Sequence, residues 1–174
     1  MGLFSTIAED FRTQQEGLLS QGFWALLVYR LSHPRLRCRI PVIRQVWYLV
    51  NRLAGKFIEV TMGIMLPEGA RIGRRLRIEH FGAIIIHGAT VIGDDCVIRQ
   101  GVTTGIKDTS DITAAPRIGN HVDIGAGAKI IGNLLIGDHV AIGANAVVIR
   151  DVPPMSIAVG VPATIKPRTA PSSC

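Results

Sequence analysis

An aliphatic residue returns every six positions from Leu66 to Val148, and that period leaves few folds open. It falls at Leu66, Ile72, Ile78 and Ile84, in a shifted frame at Ile86, Ile92 and Ile98, and again at Ile118, Ile124, Ile130, Ile136, Ile142 and Val148. Glycine follows at Gly73, Gly93, Gly119, Gly125, Gly137 and Gly143, while Ala70, Cys96, Val122, Ala128, Val140 and Ala146 fill a second small or aliphatic position. Six matches neither the helical turn of roughly 3.6 residues nor the alternation of a hairpin array. It matches a solenoid in which each hexad is one short strand and one corner, and three hexads close a triangular coil with the aliphatic residues stacked inside. Successive coils then pair as parallel strands about 4.8 Å apart. Composition agrees: 19 Gly supply the corners, and only 5% of residues are aromatic. The repeat lapses between Ile98 and Ile118. There the polar stretch Thr103 to Arg117, with Gly105, Lys107, Asp108, Ser110 and Asp111, is expected to leave the prism as a loop.

Residues 1–62 follow a helical period instead. Leu3, Ile7 and Phe11 stand four apart, and Trp24, Leu27, Val28 and Leu31 make a second stripe. His33-Pro34 ends it, because the residue before proline avoids the α conformation. A further helix is expected from about Val42 to Val60, with Val46, Leu49, Val50 and Leu53 on one side. Arg30, Arg35, Arg37, Arg39, Arg44, Arg52 and Lys56 make this region basic. That charge reads as the solvated face of a helical cap, or as a surface touching an anionic membrane or a polymer-synthesis complex. A net charge of +6 favours anionic partners, whether a phosphorylated cofactor, a nucleotide-sugar, an acidic membrane face or nucleic acid; charge alone does not choose among them, and the reading as a whole expects no nucleic acid. With 48% hydrophobic and 18% charged residues the chain is not disordered, and no run of about eighteen apolar residues offers a membrane span. Cys38, Cys96 and Cys174 are odd in number and lack metal-ligand spacing, so neither a disulfide framework nor a zinc site is expected. Met1 to Asp10 has no secretory pattern, so a cytoplasmic setting, with the inner face of the membrane as an option, is expected.

Four motifs carry a resemblance. They are Ile72-Gly73-Arg74-Arg75 leading to Ile78-Glu79-His80-Phe81-Gly82; Gln100-Gly101-Val102-Thr103-Thr104-Gly105; Ile124-Gly125-Ala126-Gly127-Ala128-Lys129-Ile130-Ile131-Gly132-Asn133; and Val152-Pro153-Pro154 with Gly160-Val161-Pro162-Ala163. In that order they resemble the hexapeptide-repeat acyltransferases, specifically the serine O-acetyltransferase branch, over about residues 60–166. The resemblance implies a mainly β chain: a helical cap over 1–62, a left-handed parallel β-helix over 63–166 with the loop 103–117, and a flexible tail over 167–174. It also implies acetyl-CoA as acetyl donor, no metal, a hydroxyl acceptor, and a homotrimer with sites between neighbouring prisms, with pairing of trimers through the cap left open.

Acetyl transfer to an alcohol needs a group to take the hydroxyl proton, and a neutral imidazole does this at physiological pH. His80, inside the first motif, is the catalytic candidate, and His87, at a nearby corner, is the second. His33 reads as a helix-end residue, and His121 and His139 as solvated corner residues. Glu79 is a catalytic candidate expected to hold the acceptor, since adjacent strand residues face opposite ways and it cannot orient His80 directly. Pantetheine needs small corners along a groove, which Gly105, Ala126, Gly127 and Ala144 provide, and Lys129, Lys166 and Arg168 are candidates for the cofactor's phosphates.

The departures from the serine branch bear on the acceptor. Where that branch has an Asp-His pair, an orienting acid and an Arg-His-Pro loop, this chain has Glu79-His80, Met65 and Ala114-Ala115-Pro116. It also lacks the Asp-Pro-Ala segment that borders the serine pocket. A buried carboxylate without basic partners is costly, so the expected acceptor is a sugar hydroxyl, as in exopolysaccharide (colanic-acid type) acetyltransferases. Free serine is the alternative. A catalytically silent scaffold and a metal-dependent relative resembling the γ-carbonic anhydrases complete the set, the latter requiring His80, His87 and His121 to converge.

Overall fold

The computed structural model describes residues 2–34 and 39–168; Arg35, Arg37, Cys38, Cys174 and positions 169–174 of the expected tail lie outside them. Helix α1 spans Leu3–Thr13, α2 Gln21–Ser32 and α3 Pro41–Met62, with a 3-10 turn at Gly17–Leu19. Beyond them the chain winds as a three-sided parallel β-helix. The first face stacks β1 (Ile64–Met65), β4 (Ile84–Ile85), β7 (Thr103–Gly105), β10 (Lys129–Ile131) and β13 (Val147–Val148). The second stacks β2 (Arg71–Ile72), β5 (Val91–Ile92), β8 (Arg117–Ile118) and β11 (Leu135–Ile136). The third stacks β3 (Arg77–Glu79), β6 (Val97–Arg99), β9 (Asp123–Ile124), β12 (Ala141–Ile142), β14 (Ser156–Val159) and β15 (Thr164–Pro167), the last antiparallel to β14.

The hexad pattern maps onto the core as expected. Ile72, Ile78, Ile84, Ile86, Ile92, Ile98 and the run from Ile118 to Val148 are buried, with Leu66 packed at their margin, and so are all six residues of the second series from Ala70 to Ala146. The frame shift has a plain cause: Ile64 to Ile72 and Ile84 to Ile92 each take eight residues along a side, where Ile130 to Ile136 takes six. Both longer sides stack on each other, so Ile84 and Ile86 point inward together. The lapse after Ile98 reflects Thr104, which takes an interior place and pairs with buried Thr90, Oγ1 to Oγ1 at 2.8 Å, while accepting from the His87 N–H.

The glycine positions at the corner between the second and third faces are set by close approach. A Cβ at Gly93 would stand 2.5 Å from the Gly119 carbonyl oxygen of the next coil. The residue after each glycine completes a ladder: Asp94 accepts from the Arg74 N–H, Asn120 from the Asp94 N–H and Asp138 from the Asn120 N–H, at 2.7, 2.9 and 2.7 Å. Short side-chain oxygens thus serve backbone donors that the strands leave unpaired.

Three boundaries differ from expectation. Thr103–Gly105 and Arg117–Ile118 are strands, so the excursion is 106–116, and Ala115 and Pro116 within it are buried. The tail does not begin at 167, because Pro167 closes β15 against Ser156 and the Arg168 N–H donates to Met155. Helix α3 starts at Pro41, whose fixed φ suits the first helical position, and ends at Gly63 in the left-handed region.

The cap docks through polar groups, which the apolar stripes did not suggest. β2 and β3 lie at the open end of their sheets, with backbone groups facing no further strand. Tyr29 Oη donates to the Ala70 carbonyl and accepts from the Ile72 N–H. The Gln14 amide bridges the Leu76 carbonyl and the Ile78 N–H. Arg30 donates to the carbonyls of Ile72 and Gly73 and to buried Asp10. Accordingly α1 buries Asp10 and leaves Phe11 38% exposed, and α2 turns Phe23, Ala25, Leu26 and Tyr29 inward while Trp24 stays 39% exposed. The stripe expected at Trp24, Leu27, Val28 and Leu31 is therefore rotated.

Candidate active site

Strand β3 buries Ile78, shows Glu79 on the outside, and hands the chain to His80 at the corner between the third and first faces. Register places His80, Gln100, Ala126 and Ala144 at one corner position of successive coils. Backbone bonds knit that edge: Gly101 N–H to Gly82 O, Gly127 N–H to Gln100 O, Asn145 N–H to Ala126 O. At one strand spacing per coil, Ala126 and Ala144 stand roughly 10 and 14 Å from the His80 corner. The first corner is built differently from the rest. Gly101, Gly127 and Asn145 carry the left-handed φ in the later coils, but here it comes one residue earlier, at His80 (φ 62°). No described residue hydrogen-bonds to the exposed His80 imidazole.

Between this corner and the start of α2 lies a cleft of 360 Å³, lined by Gln15, Glu16, Gln21, Arg77, Glu79 and His80 among others. Its narrowness depends on Gly22, where a Cβ would come within 2.7 Å of the Ile78 Cβ. Glu79 is not free to hold an acceptor as expected. It pairs with Arg77 Nη2 at 2.9 Å and with Arg99 Nε at 2.8 Å, and Arg99 also binds Asp123. The hydrogen bond to Asp123 holds the Arg99 guanidinium above its ordinary range. Arg77 retains a buried Nε without a partner among the described residues. Arg77 thus brings a basic side chain to the cleft that the loop does not, but Glu79 already engages it, so the pair adds no net charge there. Sequence reading missed Arg77 and Arg99, although both were traceable: Arg77 is two residues before Glu79 on the same strand face, and Arg99 is its partner one coil on.

The cofactor candidates divide. Ala126, Gly127 and Ala144 share the edge of His80. Lys129 begins β10 beside it, but its ammonium is tied to Gly101 O and Thr103 Oγ1 at 2.5 and 3.0 Å, so it braces the edge. Gly105 ends β7 at the foot of the loop, across the first face from that edge. Lys166 lies in β15, five strand spacings and roughly 24 Å from β3. Arg168 donates to His139 O on another edge. His87 is held by Thr104 at its backbone N–H, and its Nδ1 accepts from the Ala89 N–H, which gives it a structural place. His33 caps α2 through the Tyr29 carbonyl. His121 and His139 stack at 4.7 Å on the corner between the second and third faces, so His80, His87 and His121 sit at three different places around the prism.

Cys96 belongs to the core. Loss of solvation on burial pushes its thiol up to about 11, which leaves little thiolate at neutral pH. Cys96 in the folded protein should therefore stay unlabelled by iodoacetamide at pH near 8 and react once the chain is unfolded, as read by peptide mass. Rapid labelling of the native protein would contradict its burial.

No protein-family model matches the chain. It is 36% identical over 174 residues to the serine acetyltransferase of Synechococcus elongatus, covering 94% of this chain and 68% of the relative. To the serine acetyltransferase of Helicobacter pylori J99 it is 42% identical over 146 residues, 84% of this chain and 81% of the relative. The chain belongs to the serine acetyltransferase family. Two solved serine acetyltransferases, one from Vibrio cholerae and one in complex with CoA, superpose with TM-scores of 0.82 and 0.79 at 30% identity. Both alignments span 94% of this chain, and 65% and 69% of those structures. Membership makes the protein an acyltransferase with the left-handed β-helix of that family. These relatives do not favour kinship with exopolysaccharide acetyltransferases.

Proposed function

We propose that this protein transfers the acetyl group of acetyl-CoA to the hydroxyl of L-serine. The observation that carries the proposal is the shared edge: His80, at the wall of the cleft, occupies the same corner position as Ala126 and Ala144. A thin pantetheine arm fits along small corners, and their line ends at the imidazole. The acceptor then enters from the cap side. Glu16 and Arg77 line the cleft there, and an amino acid's carboxylate would share Arg77 with Glu79 while its ammonium meets Glu16. The relatives' names favour the same acceptor.

In the proposed reaction His80 takes the hydroxyl proton as the serine oxygen bonds to the thioester carbonyl carbon. The tetrahedral adduct collapses with cleavage of the C–S bond, and the leaving thiolate recovers the proton from the imidazolium. No acyl-enzyme is involved, in keeping with the buried Cys96. Met65 brings no carboxylate to orient the ring, so that role passes to a group of the bound substrates or of a neighbouring protomer in a homotrimer.

A sugar hydroxyl is the second reading, favoured by one observation: Ala114 and Ala115 bring no charged side chain from the loop. Thiol release from acetyl-CoA should rise at least tenfold with L-serine and stay near background with uncharged sugars. A sugar outperforming serine would transfer the assignment to the second reading, and no release with either would remove the enzyme's acceptor from both.

A further inference from the structure

Helix α3 carries two apolar sides, and only one packs against the described residues. Trp47 donates to the Leu31 carbonyl at 3.0 Å, and Ile58 is buried toward the prism. Around the helix from them, Val46, Leu49, Val50, Leu53, Phe57 and Val60 are between 56% and 75% exposed. At helical spacing these six fall within an arc of about 100°, a continuous stripe of roughly 21 Å. The stripe extends toward a crevice of 540 Å³, where Leu49 and Leu53 meet Leu66 and Pro67 of the first coil. Arg52 and Lys56 line the same crevice at the stripe's flank.

We propose that α3 lies flat on an anionic phospholipid surface, with this stripe in the acyl boundary and the neighbouring cations at the headgroups. Charge selects this occupant. Residues 17–58 hold seven Lys or Arg and no Asp or Glu. Arg30 among them is spent on Asp10, but Arg52 and Lys56 stand along one flank of the stripe, Lys56 paired with Glu59, and Arg39 and Arg44 lie toward the start of the helix. Pairing two copies of α3 would bring like charges together along the seam, whereas an anionic bilayer offers the complementary sign over the whole face. Among the described residues no helix is long and apolar enough to cross a membrane, so the helix rests on the surface.

Flotation of the full chain with lipid vesicles tests this without acetyl-CoA or an acceptor, so its outcome is separate from that of the acceptor assay. The protein should float with phosphatidylcholine vesicles containing phosphatidylglycerol. Binding should fall at least tenfold on phosphatidylcholine alone, or in about 1 M salt, where charge is screened within roughly 3 Å. Leu53→Glu with Phe57→Glu should abolish flotation while keeping the thermal midpoint, since both side chains are exposed. Arg52→Gln with Lys56→Gln should weaken it by about fivefold per cation. Absence of flotation of the intact protein on anionic vesicles overturns the proposal, as does flotation indifferent to Leu53→Glu and Phe57→Glu. A drop in oligomer mass in that variant by light scattering also overturns it, because the stripe would then be a seam between copies.

Discussion

His80→Asn should lower acetyl transfer to the acceptor by roughly 10²- to 10⁴-fold, the usual worth of a general base, and leave the affinity for CoA unchanged. Asparagine suits this position because His80 has a φ of 62°, a region that asparagine tolerates better than most residues. The corner should keep its shape, and the lost rate then belongs to the imidazole. Seven other non-glycine residues share positive φ, most of them at corners, so the conformation alone marks a turn. What singles out His80 is its one-residue displacement from the pattern of Gly101, Gly127 and Asn145 together with its unengaged ring. Calorimetry with CoA and turnover with saturating acetyl-CoA separate the two effects. Turnover within threefold of the parent would remove His80 from the chemistry. A parallel loss of CoA binding would show that the residue shapes the groove.

The prism was legible because its interior repeats one demand, an aliphatic side chain at every sixth position, and Ile92, Ile98, Ile124 and Ile130 meet it without exception. The corner between the second and third faces was legible for a similar reason: Gly93 and Asp94 each answer a backbone constraint imposed by the next coil. The cap was less legible. Its docking depends on which side chains reach the open edge of β2 and β3, and Gln14, Tyr29 and Arg30 carry no periodicity that announces this. The site divides along the same line. His80, Ala126 and Ala144 share a place in the repeat, although the motif pointed to His80 and small size to the two alanines. Arg77 was within local reach of Glu79 on the same strand, whereas Arg99 became relevant only once the register set it beside Glu79 across a coil of twenty residues. A strand thus brings the cleft a basic side chain that the loop lacks, already engaged by Glu79.

Asp10→Ala should cost about 3–5 kcal/mol of unfolding free energy, because it strands the Arg30 guanidinium in a place from which water is nearly excluded. The side chains of the pair are 10% and 1% exposed, and Arg30 Nε meets Asp10 Oδ2 at 2.8 Å. Arg30 would keep its bonds to the carbonyls of Ile72 and Gly73, yet two neutral acceptors do not balance a full buried charge. Replacing both members, Asp10→Leu with Arg30→Met, should cost less than Asp10→Ala, since no charge is left unpaired. It should still cost about 1–3 kcal/mol in all, because the carbonyls of Ile72 and Gly73 lose their donor at the open end of the solenoid. Urea unfolding followed by circular dichroism measures all three proteins on one scale. A loss under about 1 kcal/mol in Asp10→Ala would mean that the pair behaves as a solvated surface contact. A double variant equal to the parent would mean that Arg30 serves Asp10 alone, and that the cap does not seal the first coil through it.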